Sequence, residues 1–151
     1  MGQGFQFVCK KCKFEYEVFP GIGMLYPLAC RDLAKAIESG KYGKKRQKMF
    51  KETPDVRVNA ETVVFICDEC KCWKEATDLS LYAPDILKDA SVKKNDDEYY
   101  SMDGYHVVMG YTKLCPKCRK AMRLATDKEI NHLTCPRCGA KGSRGMMLMW
   151  D

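Results

Sequence analysis

Apolar and polar positions recur along this chain with two different periods, and each change of period marks an element. Residues 5–8 are rich in aromatic and β-branched side chains, and Phe14, Tyr16 and Val18 then alternate with Glu15 and Glu17, the period of two that a half-buried strand requires. Two glycines and two prolines in residues 19–27 interrupt it with a shaped loop that displays Ile22, Met24, Leu25 and Tyr26. Large apolar residues usually sit inside, so these read as a buried anchor; a partner-binding loop is the alternative. From 28 to 39 the period becomes helical, with Ala29, Cys30, Leu33, Ala36 and Ile37 on one face and Gly40 placed to end it. Cys30 reads there as a packed small hydrophobe. A second helix over 44–52 has Met49 and Phe50 as apolar anchors, is otherwise basic, and stops before Thr53-Pro54.

Residues 61–66 have strong strand propensity and lead into Cys67, after which Trp73, Leu79, Leu81 and Tyr82 are core candidates. A helical turn is predicted over 84–90, and 91–103 is charged like a linker or surface loop. Residues 105–114 read as strand. Met122 and Leu124 then alternate with Arg123 and Ala125, Asp127-Lys-Glu129 turns the chain, and 130–134 returns it as a hairpin. The tail 146–150 is either a third strand or an exposed apolar hook. The pattern predicts a small α+β protein. Its N-terminal lobe spans 1–90 with a helical insertion at about 28–53, an acidic linker or loop spans 91–104, and a C-terminal lobe spans 105–151.

Cysteine spacing adds the chemistry. Of ten cysteines, eight fall in four Cys-x-x-Cys pairs, Cys9/Cys12, Cys67/Cys70, Cys115/Cys118 and Cys135/Cys138, leaving Cys30 and Cys72 over. Two such knuckles present four thiolates to one tetrahedral ion, so the chain is expected to hold two Zn2+ ions in two zinc-ribbon lobes. Sixteen residues separate Cys118 from Cys135, a ribbon spacing, which assigns Cys115, Cys118, Cys135 and Cys138 to one site. Cys9, Cys12, Cys67 and Cys70 then form the other, across a 54-residue gap filled by the helical insertion. The rival is a cross-braced order in which Cys9/Cys12 share an ion with Cys115/Cys118. Cys72 competes with Cys70, but the two-residue gap favours Cys70 and leaves Cys72 to point along the outgoing strand.

Closed tetrathiolate zinc has no open coordination position, so it staples a fold and does not activate water. His106 and His132 are the only histidines, and no nucleophile motif or phosphate loop accompanies them. A non-enzymatic protein is expected, with no small-molecule substrate identified. The N-terminus has no basic start or apolar run of signal-peptide length, and no stretch is long and apolar enough to span a membrane. A reducing, cytoplasmic setting is the expectation.

The formal charge is +6, counting thiols as neutral. Two filled tetrathiolate sites, each a −2 unit, bring it to about +2. What survives is segregation: residues 41–51 and 113–123 hold only bases among their charged side chains, whereas 68–103 carry ten acids against five bases. Lys44, Lys45, Arg46 and Lys48 in the first run and Lys117, Arg119, Lys120 and Arg123 in the second are candidate contacts to nucleic acid or to a protein of a nucleic-acid machine. A protein-interaction module using the 21–27 loop and the 146–150 tail is the alternative.

Cys115-Pro-Lys-Cys118 with Cys135-Pro-Arg-Cys138-Gly139 resembles the rubredoxin-type zinc ribbons of transcription factors, RNA polymerase subunits and ribosomal proteins. The resemblance covers about a quarter of the chain and implies fold, not role. Elongation-factor ribbons carry an adjacent acidic pair at the hairpin tip; here Lys128 separates Asp127 from Glu129, so that activity does not carry over. Cys9-Lys-Lys-Cys12-Lys-Phe-Glu-Tyr16 is similar to the first rubredoxin knuckle, which implies iron in the first site and electron transfer as a third possibility. Lys13 and Lys71 stand where that family has glycine. The whole chain, from Gly2-Gln-Gly-Phe5 through Gly21-Ile-Gly-Met-Leu-Tyr26, also resembles small uncharacterised bacterial zinc-ribbon proteins, which implies no mechanism.

Overall fold

A computed structural model describes residues 2–86 and 102–150. Of the helical turn expected over 84–90, Pro84 ends a strand and 85–86 form a bend, while 87–90 and most of the expected acidic linker lie outside the described residues. The chain divides into two units, each built from separated segments: Met1–Met24, Glu61–Thr77 and Thr112–Asp151 in one, Leu25–Ala60 and Asp78–Tyr111 in the other. This replaces the expected succession of a 1–90 lobe and a 105–151 lobe. The physical reason is strand pairing between chain ends, which outweighs proximity in sequence.

The first unit holds two sheets. Strand β1 (Gly2–Val8) lies centrally between β2 (Glu15–Val18) and β10 (Ser143–Trp150), both antiparallel to it. Phe5 stands opposite Met147 and Val18, and Val8 opposite Ser143 and Glu15. In the second sheet β4 (Thr62–Ile66) lies between β5 (Trp73–Thr77) and β9 (Ala121–Leu124), and β8 (Lys113–Leu114) adds to β9. Phe5, Phe7, Val18, Val64, Trp73 and Leu133 pack into one core with Cys9 and Cys135. Gly142 runs so close to the Phe7 ring that a Cβ there would fall inside it. The tail is thus a third strand, yet Met146, Met147 and Met149 remain 72%, 60% and 70% exposed.

After β9 the expected return hairpin does not form. A short helix, α3 (Asp127–Ile130), takes its place, held by a capping box. Glu129 N–H donates to Thr126 Oγ1 at 3.3 Å, and Thr126 N–H to Glu129 Oε2 at 3.0 Å. The Thr-x-x-Glu spacing carried this signal. Residue 134 contributes only an isolated bridge to Lys141.

The second unit is a helical hairpin with a three-stranded sheet. Helix α1 (Tyr26–Glu38) buries Tyr26, Cys30, Leu33 and Ile37, one stripe at helical spacing, and Gly40 at φ +87° reverses the chain. Cys30 is a packed core residue, as expected. Helix α2 (Lys44–Glu52) buries no residue fully, though Met49 and Phe50 pack against the core. Strands β3 (Arg57–Val58), β6 (Leu81–Pro84) and β7 (Tyr105–Met109) complete the unit in the order β3-β6-β7. The predicted strand over 105–114 is therefore two strands, β7 and β8, in different units. Buried Asp78 is fully used, accepting from Ser80 N–H at 3.0 Å, Ser80 Oγ at 2.7 Å and Tyr82 OH at 3.0 Å. Among the described residues no helix is long and apolar enough to cross a membrane.

Candidate metal centres

All four Cys-x-x-Cys pairs, which lie in the first unit, fold in one way. The N–H of the leading cysteine donates five residues ahead: Cys9 to Phe14, Cys67 to Cys72, Cys115 to Lys120 and Cys135 to Ala140, at 2.8, 2.9, 2.8 and 2.8 Å. Its carbonyl accepts from the residue after the second cysteine: Lys13, Lys71, Arg119 and Gly139, at 2.9, 2.9, 2.9 and 2.8 Å. Those four residues adopt φ of 57°, 57°, 63° and 73°, the left-handed conformation that closes the knuckle. Lys13 and Lys71 therefore hold the conformation that glycine provides in the rubredoxin pattern.

The knuckles associate in a nested order. Cys9, Cys12, Cys135 and Cys138 form one group and Cys67, Cys70, Cys115 and Cys118 the other, with all sulfurs of a group within 4.8 Å of one another. The eight cysteines singled out in the sequence are those assembled, but the expected partition is corrected. Cys9/Cys12 do not meet Cys67/Cys70, Cys115/Cys118 do not meet Cys135/Cys138, and the cross-braced rival does not form either. The sheets dictate this. Pairing of β1 with β10 brings the first knuckle beside the fourth, and pairing of Phe65 and Ile66 in β4 with Leu124 and Arg123 in β9 brings the second beside the third.

The donor sets fit a metal. Cys9–Cys138 and Cys12–Cys135 are 3.5 Å apart, and Cys67–Cys118 and Cys70–Cys115 are 3.4 Å apart. A tetrahedron with metal–sulfur bonds of about 2.3 Å has edges of about 3.8 Å, so little movement is needed to close either site. The leading cysteines Cys9, Cys67, Cys115 and Cys135 are buried, while Cys70, Cys118 and Cys138 lie outermost. Within the thiol groups, the backbone N–H of Cys12 lowers Cys9 to about 6, and that of Cys118 lowers Cys115 to about 5. Burial raises Cys12 to about 12. Against the pull of the Lys120 N–H, the Cys67 sulfur and burial raise Cys118 to about 12. Each group thus offers a ready thiolate and a second thiol that gives up its proton to a cation.

Cys72 departs from expectation. It does not point away along the strand but lies 3% exposed against the second group, its Sγ 3.3 Å from Cys70 and 3.1 Å from Cys115. Phe14 occupies the matching position of the first knuckle, so the fifth thiol belongs to one centre alone.

The predicted contact residues are dispersed. Arg123 is tied to Glu129 at 2.6 Å and to Asp68 at 3.0 Å, which holds the Glu129 carboxyl well below the usual carboxylate range. Lys120 pairs with Glu69 at 2.7 Å, and Lys117 Nζ donates to the Pro136 carbonyl at 2.6 Å. In the second unit, Arg46 lies over the Tyr111 ring at 5.6 Å and Lys48 faces Glu52 at 3.9 Å. Arg119, Lys44 and Lys45 remain exposed without an ion pair among the described residues. Sequence reasoning missed a second set. Lys10, Lys11, Lys13, Arg137 and Lys141 surround the first centre, all exposed, with no acid within either knuckle. Their clustering follows from the nested pairing and was not visible without it.

His106 Nδ1 sits 2.9 Å from Asp85 and His132 Nδ1 2.8 Å from the Lys128 carbonyl; both are exposed. A cavity of about 360 Å³ in the first unit has Ile66, Trp73 and Leu133 on its walls and Lys71, Lys128 and His132 among its lining. Compared with protein-family models, curated proteins and solved structures, the chain finds no match.

Proposed function

We propose that this is a non-enzymatic protein stapled by two zinc ions that binds the phosphate backbone of nucleic acid through cations grouped at its first metal centre. One observation carries the proposal: the contrast in charge between two centres with the same knuckle geometry. Around the first, five cations meet Glu15 and a −2 tetrathiolate unit and leave about +2. Around the second, four cations (Lys71, Lys117, Arg119 and Lys120) meet Asp68, Glu69 and another −2 unit, and leave about zero. Cations beyond those that neutralise the thiolates are available to a polyanion, and exposed lysines without ion pairs release counterions when they bind one.

Zinc is the proposed metal because four closed thiolates suit its tetrahedral, redox-silent coordination. A colourless preparation with two zinc per chain supports this; a coloured, iron-loaded protein would favour the electron carrier. Binding is tested by fluorescence anisotropy with labelled single-stranded RNA and DNA at increasing salt. Five phosphate contacts would give a slope of log affinity on log salt of about −3.5. Substituting glutamate at Lys10, Lys11 and Arg137 is expected to weaken binding at least tenfold. Absent binding at low salt, or binding indifferent to salt, would overturn the proposal.

A second reading has its own observation. Ile22, Met24 and Leu25 are 50%, 65% and 63% exposed, not the buried anchor expected of them, and only Tyr26 of that loop is buried. With the exposed methionines of β10 they would suit an apolar protein partner. Recovery from the host of one partner that is lost when both segments are mutated would favour this reading.

A further inference from the structure

A fifth thiol, Cys72, lies against the four grouped at the second centre, beside Cys70 and Cys115. We propose that Cys72 is a reserve metal ligand that takes the place of Cys70. The inference rests on the reading that both groups hold a divalent metal. Three observations support it together. Cys72 Sγ lies within 3.3 Å of Cys70 and 3.1 Å of Cys115, no farther from its neighbours than the four grouped sulfurs are from theirs. Cys72 is buried whereas Cys70 is exposed, so the outgoing ligand faces solvent and the incoming one is already inside. The two belong to one knuckle, in which Cys67 N–H binds the Cys72 carbonyl, so the exchange moves one short segment and leaves Cys67, Cys115 and Cys118 in place.

The exchange is balanced. Cys72 gives up its thiol proton as it becomes a thiolate ligand, and Cys70 takes one up as it leaves, so the centre keeps four thiolates and its net charge. The chemistry suits a soft-ligand site, where sulfur donors are equivalent in kind and selection falls to geometry. Phe14 stands at the matching place in the first knuckle, so the first centre has no substitute for Cys12. The result is two centres of equal ligand number and unequal tolerance, with Cys70 an exposed thiol that can be modified without loss of metal.

The test uses the full chain with zinc. Metal per chain is counted after gel filtration in a weak chelator for wild type, Cys12→Ser, Cys70→Ser, Cys72→Ser and the double variant Cys70→Ser/Cys72→Ser. The expected counts are two, one, two, two and one. A single metal in Cys70→Ser overturns the inference while leaving two metals in wild type, whereas a wild type without metal overturns the reading beneath it. Since a serine variant can fail for lack of folding, the wild type is also treated with iodoacetamide and mapped by mass spectrometry. The expected product is alkylated at Cys70 and retains both metals. Protection of Cys70, or loss of one metal for each adduct at Cys70, contradicts the inference.

Discussion

The two metal centres share one backbone design and differ in everything around it. Each joins two knuckles with the same N–H to carbonyl pattern and the same left-handed closing residue. The first is bordered by Phe14 and five exposed lysine and arginine side chains, whereas the second is bordered by Cys72 and by Asp68 and Glu69, which occupy Arg123 and Lys120. Knuckle geometry settles that a metal can bind, and it does so equally in both. What distinguishes them is the side-chain setting, so differences in function should be sought there.

The largest effect should come from removing a ligand that has no substitute. Replacing Cys135 with serine should release one metal and cost on the order of 10 kcal/mol of folding free energy, read as lost cooperativity in thermal unfolding of the first unit. An equal loss from Cys70→Ser, whose place Cys72 can take, would show the centres to be equivalent staples. Next, Gly142→Ala forces a Cβ into Phe7 and should cost about 1–3 kcal/mol by overpacking beside the β1–β10 seam, measured by denaturant unfolding.

Acid should empty both centres. In the folded protein Cys9 lies near 6 and Cys115 near 5, both below the unfolded thiol value of about 8.5. A depressed folded value contributes stability above the unfolded pKa and loses it as pH falls through the folded one. Zinc release followed by a chromogenic chelator should therefore occur on acidification, as the leading thiolates of both centres take up protons. Retention of both metals well below pH 5 would contradict this. The smallest effect belongs to the closing residues. Lys13→Gly and Lys71→Gly relieve a left-handed side chain and should each stabilise by up to about 1 kcal/mol, in equal measure if the knuckles are alike.

Much of this was legible in the sequence because its signals are local. The eight ligands announce themselves by spacing, α2 falls on the residues predicted, and α1 follows its stripe of Cys30, Leu33 and Ile37. The pairing was not legible, because it is set by strands that meet across the length of the chain: Cys9 and Cys138 are 129 residues apart. The sixteen-residue spacing misled because residues 121–130 form β9 and α3 rather than a hairpin closed on itself, and β9 spends its edges on β4 and β8. Arg123 illustrates the same limit. It reads as a free cation beside its neighbours in sequence, but Asp68 comes from the β4–β5 connection and neutralises it.

Metal counting on double variants reads out the nested pairing itself, with Cys72 replaced by alanine throughout so that no reserve ligand intervenes. Cys9→Ser/Cys135→Ser strikes one centre twice and should retain one zinc per chain, whereas Cys115→Ser/Cys135→Ser strikes both centres and should retain none. The opposite result, none in the first variant and one in the second, would show that neighbouring knuckles pair along the sequence and that the nested order is wrong.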